Sequence, residues 1–386
     1  MAAERPHGVP WHRLLDDLWA HREQLTTDIC ARMQERLSAY QELPVERFSR
    51  YVALAMETTI RLARSDPPRL SSSRTTTLER VGEAQAQIGV PVDQMLLAWR
   101  IGVDRLVERG SCQAGGLGLD AQQVLDFTRA ALAASDVGMA GTARAHRRAD
   151  LERDREAQDR RASFVRAVLF GTGEPGELRA RMKSYGLDPA RPYHAVRARP
   201  VAGGATNAVA RAIGLLDATD AGRGMRVIVD GDVAGFQLDR PGDAAPAMAG
   251  FGPAVPLERL ADSFRLATRA LHTLEAFGLA GTRDLGELAL RAAVVADADV
   301  GAALRRRYLD PLVGTGSGGE IVTSLREYLA VGGHVETAAE RLHVHPNTLR
   351  YRLARFEELT SVRLRDPMVA FEVWWALESA AIAGPD

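Results

Sequence analysis

The sequence predicts a multi-domain, mainly α-helical protein with one α+β domain in its middle. Apolar residues recur at spacings of three and four from Trp11 to about Ala140 and again after Glu320, which is typical of helices. Between these regions, β-branched and alternating runs indicate strands. A chain of 386 residues is also long for a single domain. We therefore expect all-α domains at both ends and an α+β domain between them.

The composition is that of a soluble globular protein. Hydrophobic residues make up 46% of the chain and charged residues 26%, and the net charge is -1. A protein with this balance does not attract polyanions over its whole surface, so a nucleic-acid site must be a local patch. No apolar stretch is long enough to span a membrane and the first residues do not resemble a signal peptide, which predicts a cytoplasmic protein. The isolated Cys30 and Cys112 predict reduced thiols.

The N-terminal region predicts an all-α domain of five or six helices over residues 1–143. Its helical apolar positions include Leu14, Leu18, Leu25, Ile29, Met33, Leu37, Phe48, Val52, Met56 and Ile60. The segment "SDPPRLSSS" (65–73) predicts a break, and a further helix is expected to end at Gly89. Pro91 is suited to the first turn of the next helix. The segment "GSCQAGGLGLD" (110–120) predicts a flexible loop before the last helix.

Residues 144–162 predict a charged linker helix. Residues 144–161 contain seven arginines and five acids, interleaved at helical spacing. One interpretation is a solvated helix with ion pairs four residues apart. The other is a connecting helix that passes a signal between two domains. Too few apolar positions are present for a strong coiled coil.

The α+β domain is expected over residues 163–313. The runs "PYHAVRARPV" and "MRVIVDGDVAGFQLD" predict strands, the second folded at "DGD" into a hairpin. Helices are expected between and after them, including "ERLADSFRLATRALHTLEAFG". The glycine-rich segment 314–320 predicts a hinge before the last domain, residues 320–386.

The last domain predicts a helix-turn-helix. Its first helix has Ile321 and Leu325 on one face and is expected to stop at Gly332 and Gly333, where a left-handed backbone is cheap. "HVETAAERLHV" predicts the second helix. The third begins at Pro346, where a missing N–H costs nothing. Two short helices joined tightly, the second rich in arginine, favour binding to double-stranded DNA.

The third helix divides into two faces at 100° per residue. Leu349, Leu353 and Phe356 are expected to pack inward, whereas Asn347, Arg350 and Tyr351 fall on the opposite side. Asparagine and arginine can read adenine and guanine edges, and flanking arginine and threonine side chains suit phosphates. The predicted DNA-binding residues are His345, Asn347, Thr348, Arg350, Tyr351, Arg352 and Arg355. The alternative is an ordinary surface helix with scattered arginines.

The C-terminal segment closely resembles the helix-turn-helix of the PucR family of bacterial transcriptional regulators. The "GG", the "TA" pair, "NTLRYRL", "ELT" and "LRDP" stand in that family's order and spacing over about 55 residues. The resemblance implies a bacterial DNA-binding transcriptional regulator. A homodimer or a higher homo-oligomer is implied too, because one such unit alone binds DNA weakly.

Two further resemblances lie upstream. "RRASFVRAVLFG", "LRARMKSYGLD" and "PYHAVRARP" look like the central region of that family, a degenerate relative of the GGDEF nucleotide-cyclase fold. The hairpin "VIVDGDVAGFQL" lacks the cyclase motif, so no enzymatic activity is expected. "RVGEAQAQIGVPVDQMLLAWRIGVDRL" is similar to the all-α sensory domain of RsbR-type sigma-factor control proteins, which implies a globin-like fold without haem.

Other candidate sites in the sequence are weaker. Arg100 lies in the apolar stretch "LLAWRIGVD", so it is expected to be buried with either an internal acid or a small-molecule effector as its partner. Asp230 and Asp232 could bind a cation, although aspartates in turns usually form the turn itself. No catalytic residues, metal site or cofactor are predicted. Histidines do not alter this expectation, since neither His12, His21 and His146 nor His334, His343 and His345 have ligand spacing.

The functional alternative is an interaction protein. In that interpretation the RsbR-like N-terminal domain acts by partner switching with a signalling protein, and the helix-turn-helix is vestigial or binds protein.

Overall fold

The computed structural model describes residues 9–64, 72–200, 204–215 and 223–383. Its contacts divide the chain into two compact units, Met1–Gln158 and Asp159–Asp386. Within the described ranges, no helix is both long and apolar enough to cross a membrane.

The described residues of the first unit, 9–64 and 72–158, form helices and no strand, which confirms the fold class predicted for the N-terminal region. Its helices are α1 (Val9–Ala20), α2 (Arg22–Arg36), α3 (Ser38–Gln41), α4 (Ser49–Ala63), α5 (Ser72–Gln87), α6 (Val92–Ala114) and most of α7 (Ala121–Phe170). The core is built from the positions at helical spacing, including Leu14, Leu18 and Ile29. Pro91 is the residue just before α6.

The predicted loop at 110–120 is wrong over its first half. Helix α6 continues to Ala114, leaving a connection of only 115–120 before α7. The reason is packing, since Ala114 is buried and Gly110 lies against the Phe127 ring. The predicted break at 65–73 lies mostly outside the described residues, although α5 already begins at Ser72.

The predicted charged segment 144–162 lies entirely within α7, which is 50 residues long. Its side chains from Leu151 onward are mostly exposed, and Arg153 pairs with Asp150. Ala145 and His146, at the start of the segment, are buried.

The described part of the second unit contains one mixed five-stranded sheet. The strands are β1 (Tyr193–Arg199), β2 (Gly224–Val229), β3 (Asp232–Gln237), β4 (Met248–Val255) and β5 (Gly281–Arg283). Their order is β2-β3-β1-β4-β5, antiparallel except for β4 and β5. The predicted hairpin is confirmed, with Asp230 and Gly231 both at positive φ in a two-residue turn between β2 and β3.

Helices cover the sheet and link it to the C-terminal helices. They are α8 (Pro175–Ser184), α9 (Thr206–Ala212), α10 (Leu260–Ala276), α11 (Leu285–Leu288), α12 (Leu290–Ala296) and α13 (Ala298–Tyr308). Helix α10 packs closely on β4, because a Cβ at Gly250 would lie 2.1 Å from the Ala267 carbonyl oxygen.

Residues 318–383 form four helices within the part of the chain that the structure describes, in agreement with the helical C-terminal domain predicted. They are α14 (Gly318–Ala330), α15 (Val335–Arg341), α16 (Pro346–Thr360) and α17 (Pro367–Ala383). Gly332 and Gly333 have φ values of 66° and 84°, so the predicted left-handed stop after α14 is confirmed. The core around these helices extends upstream of residue 320, because it also contains Tyr308 and Leu312.

Candidate DNA-binding surface

The orientation of α16 is set by its apolar side. Leu349, Leu353 and Phe356 are buried, as the helical spacing predicted, in a core formed with α14 and α15. Since these residues hold one side of the helix against its neighbours, the opposite side faces outward.

The turn between α15 and α16 is short and tightly defined. His343 adopts a left-handed conformation (φ 53°) just after α15. His345 is the N-cap of α16, and its Nδ1 accepts a hydrogen bond from the Asn347 backbone N–H at 3.2 Å. Pro346 follows at the first helical position, where its missing N–H is not needed. His345, predicted as a DNA-binding residue, therefore also fixes where α16 begins.

Asn347, Arg350 and Tyr351 lie together on the outward side of α16, and we call these three residues the reading face. Tyr351 is 71% exposed. Arg350 Nη1 donates to Asn347 Oδ1 at 3.0 Å, and Arg350 Nη2 donates to Glu336 on α15. The amide and the guanidinium are thus held side by side on the exposed side of α16. Side chains of these two types can form bidentate hydrogen bonds with base edges.

The three predicted flanking residues differ in their surroundings. Thr348 is exposed, whereas Arg355 is half-buried and pairs with Glu358 one turn further along α16. Arg352 is only 18% exposed, because it pairs with Glu320 on α14. Arg352 therefore ties two helices together, whereas the partner of Arg355 lies on the same helix and Thr348 is exposed.

Sequence reasoning missed the acids that the fold brings to α16. No acid lies between Asn347 and Phe356 in the sequence, yet Glu320 and Glu336 reach Arg352 and Arg350 from other helices. No local signal could have found these two pairs, because they join residues 14 and 32 positions apart.

The segment after α16 adds two exposed arginines, Arg363 and Arg365, that the sequence prediction did not include. This turn is fixed by Glu357, whose Oε1 accepts a hydrogen bond from the Leu364 N–H at 2.8 Å. Because the two arginines lie outside a helix, no helical-face pattern pointed to them.

The hairpin aspartates have arginine partners. Asp232 is 1% exposed, and its carboxylate accepts hydrogen bonds from Arg197 Nε and Arg199 Nε, each at 2.7 Å. Burial raises the pKa of this carboxyl, but the hydrogen bonds from Arg199 and Arg197 outweigh it and hold the pKa below its ordinary value. Asp230 is exposed and lies 3.2 Å from Arg197. Asp232 thus has both oxygens occupied by guanidinium groups.

Throughout the described ranges, no three His, Cys, Asp or Glu side chains are grouped so as to hold a metal ion.

The expected burial of Arg100 is wrong. The buried side of α6 is formed by Met95, Trp99 and Val103, and Arg100 lies on the exposed side. Its charge therefore reaches water and needs no internal partner.

The histidines of the first unit have ordinary structural surroundings. His146 Nε2 lies 2.7 Å from the Val90 carbonyl oxygen, and its Nδ1 lies 2.9 Å from Asp150 Oδ2. His21 Nδ1 lies 2.8 Å from the Asp17 carbonyl oxygen, and His12 is exposed.

Two family models match the chain. Residues 321–379 match the PucR C-terminal helix-turn-helix domain, which includes α15, α16 and the reading face. Residues 23–161 match the N-terminal domain of the RsbT co-antagonist protein rsbRD. The chain therefore combines a PucR-type helix-turn-helix domain with an RsbRD-type N-terminal domain.

Similar proteins share only part of this chain. Uncharacterized proteins of Mycobacterium tuberculosis and Mycobacterium bovis are 35% identical over 129 residues, which is 32% of this chain and 29% of each relative. A Thermomonospora curvata protein encoded in the pkwA 5' region is 35% identical over 82 residues, covering 21% of this chain and 46% of that protein. The match thus spans less than a third of the mycobacterial relatives.

A solved structure, the regulator of polyketide synthase expression from Bifidobacterium adolescentis, aligns with 58% of this chain and 98% of its own. The sequence identity is 19% and the TM-score 0.27.

Proposed function

We propose that this protein is a DNA-binding transcriptional regulator that recognises an operator through its C-terminal helix-turn-helix. The observation that carries the proposal is the reading face. It presents Asn347, Arg350 and Tyr351 on an exposed helix whose other side is anchored in the core of a PucR-type domain.

In the proposed complex, some side chains of α16 contact bases and others contact phosphates. Arg350 reads a guanine and Asn347 an adenine, each bidentate contact giving about 1–3 kcal/mol of discrimination. Thr348 and Arg355 contact phosphates, which set register without reading sequence. His345 positions the first turn of α16, and Arg352 holds α16 against α14.

The rest of the chain controls this domain in our proposal. Residues 1–143 act as a sensory domain, 144–162 as a connecting helix, 163–313 as a GGDEF-like relay without enzymatic activity, and 320–386 as the DNA-binding domain. The protein works in the cytoplasm as a homodimer, and a signal alters the spacing of its two helix-turn-helix units.

A fluorescence-anisotropy titration tests the assignment, using operator DNA first found by genome-wide enrichment with the intact protein. Arg350→Ala is expected to abolish specific binding. Arg355→Ala is expected to weaken binding to all DNA sequences by a similar factor. It should also reduce the slope of the logarithm of the binding constant against the logarithm of the salt concentration by about 0.9. Arg259→Ala is a matched control, because Arg259 forms the same kind of i,i+3 pair elsewhere in the unit. Full specific affinity in Arg350→Ala would rule out the proposed reading face.

A second candidate function is partner switching, and the RsbRD-type N-terminal match favours it. In that case the N-terminal domain binds a signalling protein and the intact protein enriches no DNA.

A nucleotide-cyclase activity is the remaining alternative, tested by incubation with nucleoside triphosphates and magnesium. We expect no turnover, because Asp232 of the hairpin is already neutralised by Arg197 and Arg199.

A further inference from the structure

The first unit contains an apolar cavity between α2, α3, α4, α5 and α6. Its volume is about 50 Å³, and it is partly open to the surface. One water molecule needs on the order of 10–15 Å³ of such space, so the cavity has room for several atoms. Most of its lining is apolar or aromatic, including Tyr40 and Trp99. A largely preformed apolar cavity with a few polar groups is the usual form of a small-molecule site.

Gly102, in the middle of α6, lines this cavity. A glycine inside a helix costs about 1 kcal/mol relative to alanine, so its presence needs a reason. The other glycines within the described helices of this unit have a structural reason, because a Cβ added at each would lie within 3.3 Å of a packed neighbour. At Gly82 that neighbour is Thr142, at Gly110 Phe127, at Gly138 Trp99 and at Gly141 Leu78. At Gly102 a Cβ would meet nothing within 4 Å.

Helix packing therefore does not explain Gly102. Gly102 is half-buried, and its missing side chain leaves open space along the part of the cavity wall that it forms. A site needs such space when a ligand approaches the backbone closely. This second observation is independent of the cavity itself, since it rests on the contrast with the four packed glycines.

The lining also indicates the chemistry of the occupant. Tyr40 and Gln85 are buried, and the Tyr40 hydroxyl donates to Gln85 Oε1 at 3.1 Å. The Tyr40 oxygen, having given up its one hydrogen, can still accept a hydrogen bond. Three flexible methionines, Met33, Met56 and Met95, complete the wall and can move to enlarge it around an aromatic ring.

We propose that this cavity binds a small, mainly apolar molecule of up to one aromatic ring that carries a single hydrogen-bond donor, with Gly102 providing the room and Tyr40 accepting the hydrogen bond. The proposal deepens the sensory role proposed for the N-terminal domain. Because ligand binding is measured without DNA, its failure is distinguishable from a failure of DNA binding.

The test is calorimetric titration of the full chain with phenol, toluene and cyclohexanol as probes. We expect saturable one-to-one binding of phenol, and weaker binding of toluene, which lacks the donor. Tyr40→Phe is expected to remove the preference for phenol over toluene. If none of the three probes binds saturably, the proposal is wrong.

Variants at Gly102 locate the site. Gly102→Leu is expected to fill the cavity and weaken phenol binding at least tenfold. Gly115→Leu is the matched control, because Gly115 is exposed, has helical φ and ψ, and also has open space beyond its Cα. It is expected to bind within twofold of the wild type. Equal affinity in Gly102→Leu and Gly115→Leu would overturn the assignment.

A milder variant keeps the test informative if Gly102→Leu does not fold. Gly102→Ala is expected to raise the midpoint of thermal unfolding, since alanine is the better helix former, and to weaken phenol binding several-fold. An alanine variant that binds phenol as tightly as the wild type would contradict the proposal.

Discussion

Arg350 lies between an amide on its own helix and a carboxylate on the preceding helix. Asn347 orients the guanidinium from one side, and Glu336 neutralises it from the other. Exposed ion pairs of this kind contribute about 0–1 kcal/mol, so the contact with Glu336 is easily exchanged for a base or phosphate. In the DNA complex that we propose, Glu336 is therefore expected to weaken the attraction for DNA without blocking it.

Glu336→Gln is expected to raise the affinity for DNA of unrelated sequence several-fold, because a negative charge is removed beside the phosphates. Anisotropy titrations with a non-operator duplex measure the change. Asp239→Asn serves as control, since Asp239 is a similarly exposed carboxylate paired with an arginine in the sheet region. Unchanged or weaker non-specific binding in Glu336→Gln would contradict this electrostatic account.

Asp232 is expected to be the residue whose charge most strongly stabilises the sheet. Asp232→Ala leaves Arg197 nearly buried and short of its main partner, which costs about 3–5 kcal/mol in the free energy of unfolding. Urea unfolding of the intact chain measures this loss. Asp230→Ala, at an exposed turn position, is expected to cost less than about 1 kcal/mol.

The contribution of Asp232 to the free energy of unfolding is expected to depend on pH. The pKa of Asp232 is lowered in the folded protein, so its stabilisation is complete above the unfolded pKa of about 3.9. It is lost as the pH falls through the folded pKa. The difference in unfolding free energy between wild type and Asp232→Ala should therefore be constant from pH 7 to 5 and shrink in more acidic solution. A constant difference down to acid unfolding would argue against the ionised carboxylate as the cause.

At the level of single elements, α16 illustrates what could be predicted from the sequence. The spacing of Leu349, Leu353 and Phe356 predicted the buried side correctly, because helical periodicity is a local property. The hairpin at Asp230 and Gly231 was predicted for the same reason, since the turn residues themselves specify the geometry.

The errors concern features that depend on distant residues. The end of α6 is set by packing against α7, so a loop-like composition at 110–114 was misleading. Arg100 was expected inside because its sequence neighbours are apolar, yet it faces outward from the buried side of the helix. The half-buried position of Arg352 depends on Glu320, which no local pattern connects to it.

Arg352→Ala is expected to destabilise the protein by about 1 kcal/mol, because it removes a partly buried ion pair between α14 and α16. Arg355→Ala removes only an exposed pair within one helix and should change the unfolding free energy by less than about 0.5 kcal/mol. Thermal unfolding monitored by circular dichroism compares the two variants. Equal stabilities would mean that Arg352 has no role in positioning α16.

At the scale of the whole molecule, the net charge of -1 gives no general attraction for DNA. In the function we propose, affinity for DNA comes from the cationic groups around α16, of which Arg350, Arg352 and Arg355 are each paired with an acid. A single unit of this kind gains little from phosphate contacts, which is why we propose that two units act together.

The proposed dimer predicts a periodic dependence on operator spacing. Inserting about 5 base pairs between half-sites turns one half-site to the opposite side of the duplex, and should abolish tight binding. Inserting about 10 base pairs restores the facing and should recover part of the affinity. Anisotropy titrations of the spacer series measure this. An affinity that does not depend on spacing would indicate that one unit binds alone.

Gly102 has a consequence for anyone who engineers this protein. Alanine at this position gains helix propensity and meets no steric obstacle, so a search for thermostable variants would select it early. If the cavity is the sensory site that we propose, such a selection raises the thermal stability and lowers the affinity for the effector. The selected variant would withstand heating better, and it would respond less to its effector.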